Sequence, residues 1–213
     1  MANFFLESLR GKSLVRMLMN EALSNLELTG DILDLGSGSG RASHERMIAY
    51  KEPYTLTRTD YHRMGPGTVK LDLEDSFKLE NKYDVVTCFN VLEHVYDYCN
   101  VLKESLKVLK PGGLFIATTP FLVRYHPTPE DYWRFSETAL KRLLDEEGYT
   151  DIKVTGLGYG PFSCAQWVNI YPKVLRAYIH LMHIALDNIL LRAKPYHKDR
   201  YPIAFLVMAR RGD

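Results

Sequence analysis

Residues 31–40 read Asp-Ile-Leu-Asp-Leu-Gly-Ser-Gly-Ser-Gly, a short apolar strand that ends in an acid and continues into three alternating glycines. Glycine lacks Cβ, so this loop can adopt left-handed backbone angles, and a ligand can lie directly against its N–H groups. A helix predicted over 41–50 would present those groups at its N-terminus. An isolated glycine loop can equally be a plain tight turn. The stretch therefore predicts a cofactor pocket that the rest of the chain has to support.

The spacing of the glycines distinguishes between cofactors. A dinucleotide site has the pattern Gly-x-Gly-x-x-Gly, but Arg41 stands at the third glycine counted from Gly36, and Ser43 counted from Gly38. Gly-x-Gly-x-Gly after an acid-tipped strand instead resembles motif I of the class I S-adenosylmethionine-dependent methyltransferases. An NAD-dependent oxidoreductase is therefore the least favoured alternative.

Length and composition favour one domain without a nucleic-acid partner. The chain has 213 residues, of which 27 are basic and 26 acidic, and it shows no internal repeat. Nucleic-acid-binding domains usually carry a strongly basic surface, which the balanced charge does not indicate. Three cysteines without a Cys-x-x-Cys pair, and an N-terminus without a signal-peptide pattern, predict a cytoplasmic protein.

Apolar runs alternate with helical patterns, which is typical of an α/β fold with a parallel sheet. Strands are predicted near 31–35, 54–58, 68–71, 83–89, 113–119, 151–156 and 203–209. Helices are predicted at 4–26, 41–50, 94–109, 136–147 and within 163–192. The resemblance covers 29–156 and 203–209, and it implies a Rossmann-like seven-stranded sheet of order 3-2-1-4-5-7-6. We expect a single methyltransferase domain over 1–213, with an N-terminal lid helix in 1–28 and a helical insertion at 157–202.

Two acids at strand ends extend the predicted cofactor site. Asp60 ends the second strand, where a carboxylate can accept hydrogen bonds from both ribose hydroxyls, and Tyr61 follows it. Asp72 and Leu73 stand at the exit of the third strand, which in the family contacts the adenine amino group and a ring nitrogen. A surface turn aspartate is the plain alternative for each acid.

The fourth strand, 83–89, runs into Asn90-Val91-Leu92-Glu93-His94-Val95, a pairing similar to the commonest small-molecule branch of the methyltransferases. Methyltransferases acting on exocyclic amines of bases carry Asn/Asp-Pro-Pro-Tyr/Phe here, a motif that this chain lacks. The resemblance implies that the backbone of Phe89 and Asn90 lies near the methionine end of the cofactor, with Asp34 toward its ammonium group. The predicted cofactor-binding set is Asp34, Gly36, Ser37, Gly38, Gly40, Asp60, Tyr61, Asp72, Leu73, Phe89 and Asn90.

Candidate catalytic residues lie after the fourth and fifth strands, on loops that the fold directs at the transferred methyl group. His94 is one, with helix capping or cofactor contact as its alternative role. His126 and Asp131 belong to a loop rich in aromatic and charged residues over 124–136, which is typical of an acceptor pocket. Glu-His pairs at this position bind a divalent metal in some relatives. Further ligands at suitable spacing are missing, so we predict no metal site.

A long segment between Gly156 and Ile203 replaces the short hairpin that usually joins strands six and seven in this family. Polar residues recur within it at steps of three and four beside a wide apolar arc, the pattern of an amphipathic helix. The polar stripe comprises Asn169, Lys173, Arg176, His180, His183 and Asp187. These polar side chains argue against a membrane-spanning helix. The segment is expected to pack on the sheet or in a homodimer, or to contact a membrane surface through 163–192.

The leading functional hypothesis is methyl transfer from S-adenosylmethionine, with S-adenosylhomocysteine as product. The expected acceptor is a small molecule or a glycan- or lipid-linked group, and oxygen is the favoured acceptor atom. One alternative is a methyltransferase for a protein or RNA acceptor. Another is a non-catalytic scaffold that binds S-adenosylmethionine, against which the full set of cofactor residues argues.

Overall fold

Seven strands form one sheet with the predicted α/β topology. The computed structural model describes residues 2–38, 44–165, 172–194 and 200–213. The strands are β1 Glu27–Leu35, β2 Ala49–Asp60, β3 Thr68–Lys70, β4 Tyr83–Phe89, β5 Leu109–Pro120, β6 Tyr149–Leu157 and β7 Ala204–Arg211. Their order is β3-β2-β1-β4-β5-β7-β6, and β7 runs antiparallel to both of its neighbours. The predicted strand order is confirmed.

Helices flank this sheet and precede it. Within the described ranges they are α1 Ala2–Leu9, α2 Leu14–Leu23, α3 Tyr98–Val108, α4 Glu137–Glu146, α5 Pro161–Cys164 and α6 Lys173–Ala193. Ser136 caps α4, because its side chain accepts a hydrogen bond from the Ala139 N–H at 3.2 Å.

Two predicted helices are corrected by the structure. The helix predicted over 4–26 is broken between α1 and α2, where Gly11 has a φ of +89° that side-chain-bearing residues rarely adopt. The helix predicted over 41–50 is wrong in its described part, since 44–46 forms a single 3₁₀ turn and β2 begins at Ala49. Ala49 pairs with Glu27 of β1, so strand pairing prevails over the local helical pattern.

The central strands are buried on both faces. Ile32, Leu33, Val86, Phe115 and Ile116 on β1, β4 and β5 have no solvent exposure, as expected for parallel strands covered on two sides. The strands that follow β1 along the chain lie on both of its sides in the sheet. In such sheets the crevice at the carboxyl ends of the strands is where ligands bind.

The insert between β6 and β7 packs on helices rather than on the sheet. Helix α6 contacts α1 and α5, and its inward face carries Ala177, His180, Ile184 and Asp187, each less than 5 % exposed. Two members of the polar stripe therefore point into the protein, so packing of the apolar arc on the sheet is not what the structure shows. Asn169 of that stripe lies outside the described residues.

Candidate active site

A cavity of about 630 Å³ opens at the carboxyl ends of β1 to β4, within the size range of pockets that bind small molecules. Part of helix α2, including Arg16 and Asn20, lines one side of it. Nine of the predicted cofactor residues line the cavity: Gly36, Ser37, Gly38, Asp60, Tyr61, Asp72, Leu73, Phe89 and Asn90. Gly40 lies outside the described residues. The structure thus gathers four separate segments of the chain at one site.

The two described glycines of the 31–40 stretch that line the cavity serve different purposes. Gly36 has a φ of +65°, and a Cβ there would lie 2.7 Å from a methyl carbon of Val91, so the close approach of these two loops requires glycine. Gly38 has a φ of +67°, and a Cβ there would lie 3.7 Å from Oδ2 of Asp60. Glycine at 38 therefore leaves bare backbone beside a carboxylate, where a ribose-bearing ligand can lie.

Asp34 lies behind the cavity lining. Its side chain is 1 % exposed, Oδ1 accepts a hydrogen bond from Thr87 Oγ1 at 2.7 Å, and Oδ2 lies 2.9 Å from Nε2 of His44. His44 lines the cavity and packs edge-on against Phe89. Any contact between Asp34 and a cofactor ammonium group would therefore be indirect. His44 is not among the predicted site residues, because its segment has a helical pattern.

Asp60 and Asp72 are fixed by the turns that follow them. Asp60 Oδ1 accepts hydrogen bonds from the N–H groups of His62 at 2.8 Å and Arg63 at 2.7 Å. Asp72 Oδ1 accepts one from the N–H of Glu74 at 3.0 Å. Each carboxylate is thus oriented by its own loop before a ligand binds, which lowers the entropic cost of binding.

Asn90 adopts a strained backbone conformation at the end of β4. Its φ of 55° is uncommon for a residue other than glycine. The Asn90 N–H donates to the Thr118 carbonyl at 2.9 Å, and Thr118 Oγ1 donates to Asn90 Oδ1 at 3.2 Å. Both residues line the cavity. Strain that neighbouring hydrogen bonds maintain is frequent at functional sites.

The structure brings the two predicted catalytic histidines together. Glu93, His94 and His126 each offer a donor atom within 4.8 Å of the others, and the imidazole rings of His94 and His126 meet edge to face with centroids 5.1 Å apart. His94 lines the cavity, as do Thr128 and Pro129 of the loop that carries His126. The β4 and β5 loops therefore build a single cluster beside the cofactor pocket.

His94 is held in the tautomer that a general base needs. Its Nδ1 forms a hydrogen bond with the Glu130 carbonyl. Because a carbonyl oxygen can only accept, Nδ1 carries the hydrogen and Nε2 keeps its lone pair. Burial lowers the pKa of His94 below its ordinary value. The ring therefore stays neutral, and able to accept a proton, to lower pH than a solvent-exposed histidine.

The carboxylate of Asp131 is engaged by groups of its own loop. It accepts hydrogen bonds from Arg134 at 2.5 and 2.7 Å and from the His126 N–H at 2.9 Å. Its side chain is 1 % exposed, and the Arg134 guanidinium lowers its pKa to about 2. A buried, ion-paired carboxylate with so low a pKa is a poor base. These contacts favour a role for Asp131 in positioning His126, and its predicted catalytic role stays a prediction.

Glu93 is not among the predicted catalytic residues, although it is the acid of the Glu-His pair with His94. It is fully buried, and among the described residues neither of its carboxylate oxygens has a hydrogen-bond partner. Burial raises the pKa of Glu93 to about 8, so this side chain is protonated at neutral pH. Its Oε1 lies 3.8 Å from Nε2 of His94. An unsatisfied buried carboxyl group with a raised pKa is typical of functional sites.

Two groups of described residues have donor atoms close enough for a metal ion. One is the cluster of Glu93, His94 and His126, and the other joins Asp34, His44 and Glu45. In the second group Glu45 is already engaged by Arg58, at 2.7 and 3.1 Å. In the first, His126 supplies in space a third donor that the sequence spacing did not reveal. The absence of a metal therefore stays a prediction.

The sheet order, the glycine loop and the acids at the strand ends define a class I, Rossmann-like methyltransferase fold. A family model described as a methyltransferase domain matches residues 8–154. The chain belongs to this family, and S-adenosylmethionine is its cofactor. The cavity fits this group, since glycine at residue 38 leaves open the space beside Asp60 Oδ2 that a Cβ would occupy, and Asp72 lines the same cavity.

Curated relatives are similar over the same region. A "Probable S-adenosylmethionine-dependent methyltransferase" of Mycobacterium tuberculosis is 29 % identical over 149 residues, which cover 62 % of this chain and 53 % of the relative. The chain thus spans about half the length of that relative. A "Ubiquinone biosynthesis O-methyltransferase" of Vibrio parahaemolyticus is 28 % identical over 163 residues, covering 62 % of this chain and 68 % of the relative.

Solved structures support the fold. A SAM-dependent methyltransferase from Archaeoglobus fulgidus has a TM-score of 0.57 at 16 % identity, covering 92 % of this chain and 93 % of the other. Phosphoethanolamine N-methyltransferase 2 of Haemonchus contortus, solved with S-adenosyl-L-methionine, has a TM-score of 0.56 at 13 % identity, covering 92 % of this chain and 52 % of the other. At these identities the likeness concerns the fold.

Proposed function

We propose that this chain transfers the methyl group of S-adenosylmethionine to an oxygen of a small-molecule or glycan- or lipid-linked acceptor. The cofactor supplies a methyl group activated by a sulfonium. The protein has to align the acceptor, exclude water and accept a proton. The observation that carries the proposal is the position of His94 in the cavity wall with its Nδ1 bonded to the Glu130 carbonyl, which leaves Nε2 as the nitrogen able to accept a proton. The name of the Vibrio relatives supports oxygen as the acceptor atom.

His94 is the proposed general base. In this arrangement the acceptor hydroxyl donates its hydrogen bond to Nε2, which takes the proton as the oxygen acquires the methyl group. The bond from Nδ1 to the Glu130 carbonyl keeps the ring oriented during this step. The carboxyl group of Glu93, with Oε1 3.8 Å from Nε2, is the nearest acidic group to the imidazolium that this step forms.

His126 is the proposed second partner of the acceptor hydroxyl. Its Nδ1 lies 3.1 Å from the Arg124 carbonyl and 3.2 Å from Oδ2 of Asp131, so Nδ1 carries the hydrogen and Nε2 is available as an acceptor. The ion pair between Asp131 and Arg134 holds this loop against the cluster. The two imidazoles together make the site suited to an alcohol, which needs deprotonation, more than to a carboxylate, which does not.

A screen with radiolabelled cofactor tests this function. Alcohols, phenols, sugars, peptides and RNA are offered to the wild type, to His94→Gln and to His183→Gln as a matched histidine control on α6. The proposal expects an O-methylated product from the wild type and the control, and its loss in His94→Gln with unchanged affinity for S-adenosylhomocysteine.

Other outcomes of this screen decide between the alternatives. Products methylated only at nitrogen or carbon would overturn oxygen as the acceptor atom. Methylation of peptides or RNA alone would favour a macromolecular acceptor. Binding of S-adenosylhomocysteine without transfer to any compound of the screen would favour the non-catalytic scaffold.

A further inference from the structure

Helix α6 differs from an ordinary surface helix in which side chains face the protein and which face outward. Its inward face carries polar side chains that have specific partners. Nδ1 of His180 lies 3.0 Å from Oγ of Ser8. The carboxylate of Asp187 accepts hydrogen bonds from the N–H groups of Phe162 at 3.0 Å and Ser163 at 2.8 Å. These contacts fix which side of the helix faces the protein.

The opposite side of α6 is apolar and exposed. Exposure ranges from 37 to 64 % for six large side chains there, namely Val174, Leu175, Tyr178, Met182, Leu186 and Ile189. At 100° per residue they fall within one third of the helix circumference, opposite His180 and Ile184. The stretch from Val174 to Ala193 is also long and apolar enough to cross a membrane by length and composition, with a mean hydropathy of 1.3. Contiguous apolar surface of this kind marks a docking site.

The described charged residues at the C-terminal end of this helix are basic. Asp187, the single acid of α6, is fully buried, so it contributes nothing to the outer surface. The sequence from 192 to 200 reads Arg-Ala-Lys-Pro-Tyr-His-Lys-Asp-Arg, with four basic residues and one acid. Arg192, Lys194 and Arg200 are exposed. An apolar helix face with a basic end complements a membrane surface rich in anionic headgroups.

We propose that the outer face of α6 docks this protein on an anionic lipid surface, with the helix lying in the membrane interface. The polar contacts of His180 and Asp187 hold α6 against α1 and α5. A helix that lies on the membrane surface retains these contacts, whereas a helix that crosses the bilayer would lose them. A second copy of the chain matches this face less well, because its own basic residues would lie against the basic end of α6 and repel it. The docking face does not depend on the proposed chemistry, because none of its residues lines the cavity.

Co-sedimentation of the full chain with lipid vesicles tests this proposal. The vesicles contain phosphatidylcholine alone or with about one-third phosphatidylglycerol. We expect the wild type to bind the anionic vesicles and to bind less as salt is raised. The double variant Met182→Glu/Ile189→Glu should bind roughly tenfold more weakly or worse, because it places charge in the apolar face. Arg192→Gln/Lys194→Gln should lose much of the preference for phosphatidylglycerol.

A matched control distinguishes the effect of charge within the apolar face of α6 from the effect of added negative charge elsewhere. Asn81→Glu/Thr138→Glu adds the same charge at exposed positions away from α6 and should bind as the wild type does. Melting curves should be unchanged in all variants, since the substituted side chains are exposed. Wild-type protein that does not sediment with anionic vesicles, or equal binding by Met182→Glu/Ile189→Glu, would overturn the proposal. A wild-type dimer that this variant dissociates, without vesicle binding, would assign the face to a second copy instead.

Discussion

The conformation of the glycine loop depends on residues close to it in sequence, whereas the orientation of helix α6 depends on residues far from it in sequence. In the loop, a positive φ at Gly36 and Gly38 and an acid at each strand end are local requirements. In α6, the inward face is decided by Ser8 and by two N–H groups at 162 and 163, far away in sequence. The comparison shows that a periodic pattern locates a helix but does not say which of its faces meets the protein.

The largest expected effect lies at the cavity. His94→Ala removes the proposed base and should lower kcat by roughly 10²–10⁴-fold, the typical contribution of general acid–base catalysis. Affinity for S-adenosylhomocysteine should stay near that of the wild type, as measured by calorimetry alongside steady-state rates. An unchanged kcat would remove His94 from the mechanism.

A pH effect on stability is expected from Glu93. Its pKa is about 8 in the folded protein, against an ordinary value of 4.5, so folding retains a proton that the unfolded chain releases. Stability linked to this group is complete below about pH 4.5 and is lost as the pH rises toward 8. Glu93→Gln, which is neutral throughout, should not show this loss.

The difference can be measured by urea unfolding at several pH values. Relative to Glu93→Gln, the wild type should lose on the order of 5 kcal/mol between acidic and alkaline pH. Glu104→Gln is a matched control at a carboxylate whose pKa is lowered. Parallel pH profiles for the wild type and Glu93→Gln would contradict the raised pKa.

Substitutions on one face of α6 at a time test which face is packed against the protein. Asp187→Ala leaves two buried N–H groups without an acceptor and should lower the free energy of unfolding by about 2 to 3 kcal/mol. Met182→Ala on the outer face should change it by less than about 0.5 kcal/mol. Denaturant unfolding compares the two variants. Equal effects would mean that α6 does not present these faces as described.

A smaller effect is expected at the ribose side of the cofactor pocket. Asp60→Ala should weaken S-adenosylhomocysteine binding by about 1.5 kcal/mol, the lower end of the range for hydrogen bonds to charged groups. Asp97→Ala is a control at a carboxylate that caps α3. Calorimetric titration gives both values, and an affinity of Asp60→Ala equal to that of the wild type would remove Asp60 from the cofactor site.

Much of the fold and of the cofactor side could be predicted, because their requirements are written locally. Strand β4 is a mostly apolar run that Asp84 and Thr87 interrupt, Gly36 and Gly38 share one short motif, and Asp60 ends the next predicted strand. The rest depends on contacts between distant segments. Strand β2 begins at Ala49 because this residue pairs with Glu27. The contact between the side chains of Asp34 and His44 likewise depends on how the folded chain packs. Burial of Glu93 and the ion pair of Asp131 likewise arise only in the folded chain.

Calorimetric titration of S-adenosylhomocysteine tests the central assignment of the glycine loop most directly. The wild type should bind one equivalent, and Gly38→Arg should show no detectable binding, because its side chain would occupy the space beside Asp60. Gly112→Arg is the matched control, since Gly112 has a similar φ of +71° but no atom within 4 Å of the added Cβ. It should bind as the wild type does. Absence of binding by the wild type, or equal binding by Gly38→Arg, would contradict the account.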